Sequence, residues 1–259
     1  MDISTTIRRT DLPLDYDARP IEKRIGLIIL ATDHTTEPDF RRMVASDRIA
    51  LYTARIAYAN PTTSENLRRM QPELTRAASL ILPDEKLDAI CYSCTSASVV
   101  IGDRQIQAAI WAAKPGIPVI TPTLAAIKAL YAVGARRISI LTPYTIGTSA
   151  PMADYFAASG FDIARFTCFG LEDDRQMARI SPASLVAAAR EAMAGDADAL
   201  FISCTALRAA GVAAEIERII GKPVITSNLA TSWAALRICG ETEPQPELGR
   251  LMSLPMAAW

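Results

Sequence analysis

The sequence predicts an α/β protein made of two lobes, each built on a parallel sheet, and three observations lead to that prediction. The chain has 259 residues, which is enough for two lobes of roughly 100–130 residues each. Short apolar runs alternate with helical stretches, as is typical of parallel sheets with helices on both faces. The second half of the chain also repeats landmarks of the first, so we expect two similar halves.

The repeat consists of three landmarks that occur in the same order in both halves. The matched stretches, first half before second, are 25–31 with 138–141, 87–95 with 197–205, and 116–121 with 221–226. The middle pair aligns Cys94 with Cys204 at an offset of 110 residues. We infer a duplicated α/β unit.

Each unit has the same predicted order of elements. A first apolar strand ends in a polar turn, at 32–36 or 142–145, and a helix follows. A second apolar strand runs into a Cys-Thr turn and another helix, and a third strand precedes an alanine-rich helix. Ligands of such sheets bind beyond the carboxyl ends of the strands. Because Cys94 and Cys204 occupy that position, two facing lobes would place both thiols in one cleft.

The third strand of each unit predicts where the chain changes lobe. The stretch 118–133 leads into the second lobe, and its counterpart 223–238 returns the chain to the first. We therefore expect lobe one to comprise residues 1–120 and 225–259, and lobe two to comprise residues 121–224.

The position of the two repeated cysteines favours reactive chemistry. A thiol between a strand and a helix faces free backbone N–H groups and the positive end of the helix dipole, which are expected to lower its pKa. Thr95, Ser96 and Thr205 supply donors that can hold a carboxylate or an enolate oxygen. Cys94 and Cys204 on opposite faces of an α-carbon could move a proton across it, or one of them could add to a double bond. Neither reaction requires a metal or an organic cofactor.

The remaining cysteines allow other interpretations. Cys91 and Cys94 are three residues apart, the spacing of a redox pair or of half a zinc site. Positions i and i+3 of a strand point to opposite faces, however, and the repeat partner of Cys91 is Phe201. We therefore predict that Cys91 is a core residue. Cys168 and Cys239 have no partner in the repeat and are expected to be core or surface thiols.

Composition excludes several classes of function. The single histidine, His34, rules out a multi-histidine metal site. A Ser-His-Asp hydrolase would have to use His34 as its base, and the chain lacks the G-x-S-x-G motif that carries the serine in such enzymes. The net charge of −1 and the absence of a basic block argue against nucleic-acid binding. The apolar runs are far shorter than the ~20 residues of a membrane span, and the polar N-terminus lacks a signal-peptide core. We expect a cytoplasmic protein with reduced cysteines, and its alanine-rich helix faces predict a homo-oligomer.

Three motifs are found together in this chain: S-C-T-S-A-S at 93–98, T-P-Y at 142–144 and S-C-T-A-L-R at 203–208. With these motifs the sequence resembles the aspartate/glutamate racemase superfamily, in particular its maleate cis-trans isomerase and arylmalonate decarboxylase branch. The resemblance implies two Rossmann-like lobes related by a pseudo-twofold axis, with the active site in the cleft between them and no cofactor. The stretch L-A-T-D-H-T-T-E at 30–37 is most similar to racemase-like proteins of ectoine utilisation, which suggests a role in ectoine degradation.

The resemblance also implies roles for individual residues. Cys94 would be the nucleophile or base of the first lobe, and Cys204 its counterpart in the second. Thr95, Ser96 and Tyr144 would hold the substrate carboxylate or enediolate. In maleate isomerases the first cysteine adds to the alkene, the bond rotates and the thiolate leaves. Arylmalonate decarboxylases keep only the second cysteine, so the presence of both favours an isomerase or racemase.

Two positions depart from the maleate isomerase pattern. Asp33 stands where those enzymes carry a substrate-binding asparagine, and a second such asparagine is matched by Asp173 or, as we assign it, Asp174. A carboxylate cannot donate to another carboxylate unless it is protonated, but it pairs well with an ammonium group. The substrate is therefore expected to be an amino- or acylamino-acid rather than maleate. Alternatively, Asp33 caps the following helix, and His34 is a loop residue, a helix-start contact or a pH-sensitive substrate contact.

The leading hypothesis is a cofactor-independent isomerase of a small carboxylic acid. One alternative is a malonate-type decarboxylase that uses Cys204 as its proton donor. Another is a non-catalytic protein whose two lobes close on a small ligand. A redox or zinc site at Cys91 and Cys94 is the remaining alternative.

Overall fold

The computed structural model describes residues 7–259 and contains two four-stranded parallel sheets. The first sheet comprises β1 (Lys23–Leu30), β2 (Ile49–Ile56), β3 (Ala89–Ser93) and β4 (Val119–Ile120). The second comprises β5 (Arg137–Tyr144), β6 (Asp162–Leu171), β7 (Ala199–Ile202) and β8 (Val224–Thr226). Their spatial orders, β2-β1-β3-β4 and β6-β5-β7-β8, are the same topology. The predicted α/β fold is confirmed, although the expected first residues of lobe one, 1–6, lie outside the described residues.

Helices flank both sheets. Those of the first half are α1 (Thr36–Met43), α2 (Ser64–Arg68), α3 (Glu73–Leu80), α4 (Thr95–Ile101), α5 (Asp103–Trp111) and α6 (Pro122–Ala132). Those of the second half are α7 (Ile146–Ala158), α8 (Asp174–Met177), α9 (Pro182–Ala192), α10 (Ala213–Ile220) and α11 (Ser227–Ile238). Short 3₁₀ turns lie at Ala210–Val212, Pro246–Leu248 and Arg250–Ser253. Within residues 7–259, none of these helices is both long and apolar enough to cross a membrane.

The inner strands bring both cysteines to the carboxyl edge of their sheets. β3 and β7 are buried along their whole length, because each consists of a continuous apolar run packed on both faces. β3 lies beside β1 with Ser93 opposite Ile29, and β7 lies beside β5 with Ile202 opposite Leu141. Cys94 and Cys204 follow directly beyond these paired residues.

Each half was predicted to contain three strands, but the structure adds a fourth strand at one edge of each sheet, β2 in the first and β6 in the second. Both strands are partly exposed, and β2 carries the exposed residues Thr53 and Arg55 on its outer half. Since neither strand has a continuous apolar run, neither stands out in the sequence. The predicted turn at 142–145 is also too long, because β5 continues through Tyr144.

The two repeated cysteines lead into different local structures. α4 begins at Thr95, directly after Cys94, as predicted. After Cys204 the chain forms turns, and the next α-helix begins only at Ala213. The expectation that Cys204, like Cys94, stands at the N-terminus of a helix is therefore wrong. The physical reason is that Cys204 has a left-handed backbone φ of +104°, whereas Cys94 has the extended φ of −154° that suits a helix N-cap.

Two crossover helices connect the lobes. Each begins after a capping threonine, since Thr121 accepts a hydrogen bond from Leu124 N–H and Thr226 accepts one from Leu229 N–H. α6 and α11 contact one another, and α11 also contacts α1 and β3 of the first sheet. The larger hydrophobic core includes residues of both sheets, among them Ile29. One core therefore fixes the two halves against each other.

Candidate active site

Cys94 lies buried at the N-cap of α4, with 5% of its surface exposed. Its Sγ is 3.7 Å from Ser96 Oγ, and the Ala97 N–H donates to the sulfur. Its carbonyl oxygen accepts bonds from Ser98 N–H and Ser98 Oγ at 3.0 and 2.8 Å. The first turn of α4 therefore fixes both the backbone and the thiol of Cys94.

Cys204 lies equally buried beyond β7, with 7% of its surface exposed. Its N–H donates to Ser227 Oγ at 3.0 Å, and Ser227 is the first residue of α11. The Tyr144 hydroxyl and the N–H groups of Ala206 and Leu207 lie close enough to the thiol to favour its charged form. Contacts with α11, with β5 and with the turn that follows thus hold Cys204 in its unfavourable left-handed backbone conformation.

Burial sets the ionisation of both thiols. It raises the pKa of Cys94 to about 11 and that of Cys204 to about 12, and the surrounding N–H and hydroxyl donors only partly offset it. The prediction of lowered pKa values is therefore wrong, because removal from water outweighs the donors at the strand ends. A negative charge on Cys94 also raises the pKa of Cys204, so the two sulfurs are close neighbours. Both thiols are therefore protonated at neutral pH, and a charge on Cys94 would further disfavour ionisation of Cys204.

Thr95 and Thr205 connect the two half-sites crosswise. Thr95 Oγ1 donates to Ser227 Oγ at 2.8 Å, and Thr205 Oγ1 donates to the Ser93 carbonyl at 3.2 Å. Both threonines are at the site, as expected, but their hydroxyls donate to protein atoms. The turns thus offer a substrate mainly their backbone N–H groups.

Tyr144 and Ser96 lie between the two cysteines. Tyr144 is the last residue of β5 and is 2% exposed. Its hydroxyl lies close enough to the Cys204 thiol and to Ser96 for both to affect the pKa of Tyr144, and Ser96 in turn lies beside Cys94. The hydroxyls of Tyr144 and Ser96 therefore provide polar groups that reach from one sulfur to the other.

Asp33 caps α1 from a buried position near Cys94. Its Oδ1 accepts bonds from Thr35 N–H and Thr36 N–H, both at 2.8 Å, and its Oδ2 accepts one from Thr36 Oγ1 at 2.6 Å. This is the capping role left open by the sequence. Burial raises the pKa of Asp33, and its charge in turn raises the pKa of Cys94. Helix capping and proximity to the thiols are thus both found.

The structure distinguishes Asp174 from Asp173. Asp174 is buried, its Oδ1 accepts a 2.9 Å bond from Asn60 Nδ2, and its Oδ2 accepts one from Thr32 Oγ1. Its charge also raises the pKa of Cys94. Asp173 instead pairs with Arg175, which lowers the pKa of Asp173 to about 2. Of the two candidates, Asp174 is the buried one, and its charge acts on Cys94.

A segment that the sequence did not reveal, residues 58–62, lies over the site. We call it the clasp segment. Tyr58 hydrogen-bonds Thr62 at 2.5 Å, and its pKa is raised chiefly by burial and then by the charges of Cys94, Asp174 and Cys204. The clasp segment follows the edge strand β2, just as Asp174 follows the edge strand β6. Asp174 was expected at the site from the family resemblance, whereas recognition of β2 as an edge strand would have been needed to predict the clasp segment.

The other motif residues lie outside this arrangement. Cys91 is fully buried in the larger core, which also contains Phe201, while Cys94 belongs to the second core cluster, so the prediction of opposite faces is confirmed. Cys239 is buried and Cys168 is half-buried. His34 is exposed and lines a surface cavity of about 610 Å³. Among residues 7–259, no group of three or more His, Cys, Asp and Glu is arranged to hold a metal.

Comparisons with known proteins identify a matching family and related sequences. The sequence model described as arylmalonate decarboxylase matches residues 75–252. A maleate isomerase of Pseudomonas putida is 27% identical over 244 residues, covering 89% of this chain and 97% of that protein. An arylmalonate decarboxylase of Bordetella bronchiseptica is 31% identical over 139 residues, covering 52% of this chain and 58% of that protein.

Solved structures have the same fold. The maleate isomerase Iso from Pseudomonas putida S16 superposes with a TM-score of 0.81 at 25% identity, covering 89% of this chain and 98% of that one. A mutant maleate cis-trans isomerase of Nocardia farcinica, solved with a covalently bound succinylcysteine intermediate, gives a TM-score of 0.82 at 24% identity, covering 89% of this chain and 98% of that one.

Proposed function

This chain belongs to the arylmalonate decarboxylase family, and from that premise we propose that it is a cofactor-independent isomerase of a small carboxylic acid. The resemblance to the maleate isomerase and arylmalonate decarboxylase branch is confirmed by the matching relatives. One observation carries the proposal further. Each half of the chain contributes one buried cysteine, and the Tyr144 and Ser96 hydroxyls reach from one sulfur to the other.

The substrate carboxylate would bind at the beginning of α4. The backbone N–H groups there, with Ser96 and Tyr144, would stabilise the negative charge that develops on the carboxylate oxygens as an enediolate forms. The buried position of both thiols excludes water, which strengthens these interactions. The resulting intermediate would lie between Cys94 and Cys204.

Two isomerisation routes fit this arrangement. In the first, the Cys94 thiolate forms a C–S bond to an alkene carbon, and the electron pair moves into the adjacent carboxylate. After rotation about the resulting single bond, the C–S bond breaks and the thiolate leaves. In the second route, the Cys94 thiolate removes the α-proton, and the Cys204 thiol donates its own proton to the opposite face. The second route requires one thiolate and one thiol, and because a charge on Cys94 raises the pKa of Cys204, Cys204 would stay protonated as the proton donor once Cys94 has ionised.

A decarboxylase is the second candidate, because the matching family model carries that description. Loss of CO₂ from a malonate would produce the same enediolate, which Cys204 alone could protonate. The isomerase is favoured here because both repeated cysteines are present, and because the maleate isomerase of P. putida covers 89% of this chain, against 52% for the decarboxylase.

A substrate screen in D₂O with single cysteine variants tests the proposal. The screen contains small dicarboxylates, malonates and amino acids, including those that ectoine breakdown would yield, in keeping with the resemblance to ectoine-utilisation proteins. Cys94→Ser and Cys204→Ser are each expected to lower turnover roughly 100-fold or more. Cys168→Ser is the control, since that half-buried thiol lies outside the site.

The possible outcomes separate the alternatives. Full activity in both site variants would exclude the two-cysteine isomerase. CO₂ release from a malonate that survives Cys94→Ser would identify the decarboxylase. Binding of a carboxylate without isomerisation, decarboxylation or isotope exchange would favour a non-catalytic binding protein. Incorporation of deuterium at the α-position would select proton transfer over addition and rotation.

A further inference from the structure

Two buried carboxylates lie at the same edge of the candidate site. Asp33 follows β1, and Asp174 begins α8 in the other half of the chain; each is only 6% exposed. The Thr32 hydroxyl, one residue before Asp33, donates to Asp174 Oδ2. Because Ser93 pairs with Ile29 in the neighbouring strand, Cys94 emerges at the same edge. Two acidic groups from different lobes are thus placed together beside one thiol.

Neither carboxylate is neutralised by a basic side chain. In residues 7–259, no Lys or Arg forms a salt bridge with Asp33 or Asp174; the donors are backbone N–H groups, hydroxyls and the Asn60 amide. Arg55 approaches, but its guanidinium bonds the Asp33 carbonyl and the Glu37 carboxylate. Arg55 and Arg175 thus act on Asp33 and Asp174 only through longer-range charge interactions, and no basic side chain occupies the acceptor positions of either carboxylate.

The carboxylates also retain acceptor capacity. An ionised carboxylate offers about four lone-pair positions. Asp33 accepts three hydrogen bonds and Asp174 accepts two through its side chain. A bound dicarboxylate could not donate to these positions and would add two further negative charges in a region of low dielectric. A protonated amine supplies up to three donors and one positive charge.

We propose that Asp33 and Asp174 bind the protonated amine of an amino-acid substrate whose carboxylate occupies the N–H groups at the start of α4. This inference rests on the proposed function, since it names the substrate class of the same site. An amino acid without an alkene cannot undergo addition and rotation, so its isomerisation is racemisation or epimerisation. One sulfur takes the α-proton as a thiolate, an enediolate forms, and the opposite thiol supplies a proton.

Calorimetric binding to the full-length protein tests the proposal with matched ligand pairs. The pairs differ only by an ammonium group at C2: propionate and alanine, butyrate and 2-aminobutyrate, succinate and aspartate, glutarate and glutamate. Both enantiomers of each amino acid are used, and maleate is added. We expect the best-binding amino acid to bind roughly tenfold or more tightly than its unsubstituted partner.

Asp174→Asn provides the decisive variant, because the amide can still accept from Asn60 and keeps the same shape. It is expected to lower the preference for the ammonium ligand roughly tenfold. Asp173→Asn is the matched control, since the adjacent Asp173 pairs with Arg175 and should leave the preference unchanged. Asp33→Asn is a weaker test, because it also disturbs the cap of α1.

Three results would overturn the proposal: maleate or an unsubstituted acid binding as tightly as the amino acids, no amino acid binding, or Asp174→Asn weakening both members of a pair equally. These results are distinguishable from failure of the proposed function. Isomerisation of maleate by the wild-type protein would support the isomerase and refute the amine site. Amino-acid binding without deuterium exchange would support the amine site and refute the isomerase.

Discussion

Cys204 shows how single contacts maintain an unfavourable conformation. A left-handed φ at a residue with a side chain costs about 1–3 kcal/mol, and Cys204 adopts φ +104°. Its N–H is held by Ser227, and the following residue, Thr205, donates to the Ser93 carbonyl. Since Ser227 also accepts from Thr95, one hydroxyl oxygen serves both half-sites.

Ser227→Ala removes a single oxygen atom, but it should weaken the hydrogen bonds of both half-sites. The substitution leaves the buried Cys204 N–H and the Thr95 hydroxyl without their acceptor, which is expected to lower the free energy of unfolding by about 1–3 kcal/mol. Urea denaturation measures this loss, and turnover should fall with it. Ser232→Ala on the same helix is the control, because the buried Ser232 hydroxyl has no hydrogen-bond partner. An equal loss in both variants would contradict the explanation.

The raised thiol pKa values predict an alkaline pH dependence of alkylation. Because Cys94 has a pKa of about 11 instead of 9.0, its thiolate is roughly 100-fold rarer at pH 7 than that of an ordinary thiol. The rate of iodoacetamide labelling of Cys94, followed by peptide mass spectrometry, should rise with pH toward pH 11. Saturation near pH 8 would contradict the prediction. Bound amino acid should shift the Cys94 profile to lower pH if its ammonium group neutralises the nearby carboxylates.

At the scale of elements, the clasp segment joins the two lobes above the thiols. Thr62 N–H donates to the Glu172 carbonyl, and Thr148 Oγ1 donates to the Thr62 carbonyl, both at 2.8 Å. Asn60 adds hydrogen bonds to Asp173 and Asp174. We therefore expect that access to the thiols from this side requires these bonds to open.

Thr148→Ala is expected to loosen the clasp segment without altering the site itself. The substitution also removes the 3.3 Å bond that Thr148 Oγ1 accepts from Thr145, but only the bond to the Thr62 carbonyl holds the clasp segment. Loss of that bond, worth about 0.5–1.5 kcal/mol, corresponds to a roughly 2- to 10-fold larger open population. Alkylation of Cys94 at a fixed pH should accelerate by that factor. Thr75→Ala is a suitable control, because the Thr75 hydroxyl bonds Ala109 within the first lobe. The same acceleration in both variants would show that general destabilisation, not the clasp segment, controls access.

The sequence indicates some elements clearly and others hardly at all. β3 and β7 lie in apolar runs, and the G-x-P-V-I-T landmarks coincide with β4 and β8. The hydrophobic pattern and the internal repeat were therefore sufficient to predict these four strands. β2 and β6 lack such runs because one edge of each is exposed. The clasp segment and the environment of Asp174 follow these two strands and were missed with them.

The site shows the same limit. The repeat identified Cys94 and Cys204 because the same residue occurs in both halves directly after or close after the second apolar strand. The turn after Cys204 depends on Ser227, which is distant in sequence, and no local pattern reports such a contact. The thiol pKa values likewise depend on burial by the whole fold, whereas the sequence displays only the local donors.

At the scale of the whole molecule, buried polar contacts and one core join the lobes. Tyr155 of α7 donates to Asp103 Oδ2 at 2.6 Å, and the hydroxyls of Thr121 and Thr123 donate to Asp103 Oδ1. The larger hydrophobic core is continuous across both sheets. The lobes are therefore expected to unfold together in a single transition.

Tyr155→Phe tests the contribution of this junction. Removing a hydroxyl that donates to a carboxylate should lower the free energy of unfolding by about 1.5–3 kcal/mol. The transition should remain single when followed by fluorescence and by circular dichroism. Tyr131→Phe removes a hydroxyl that bonds only the Ser159 carbonyl at an exposed position, and it should cost less. Two separate transitions in the wild-type protein would show that the lobes unfold independently.

The difference between the two cysteine turns has a consequence for symmetry. In a homodimer of identical half-length chains, an exact twofold axis would require both cysteines to adopt the same φ and to receive the same partners. Here the two halves form one chain, and φ is −154° at Cys94 but +104° at Cys204. Covalent joining of the halves removes the requirement of equivalence. One thiol can thus become specialised as nucleophile and the other as proton donor, a division of labour that a strictly symmetric pair could not maintain.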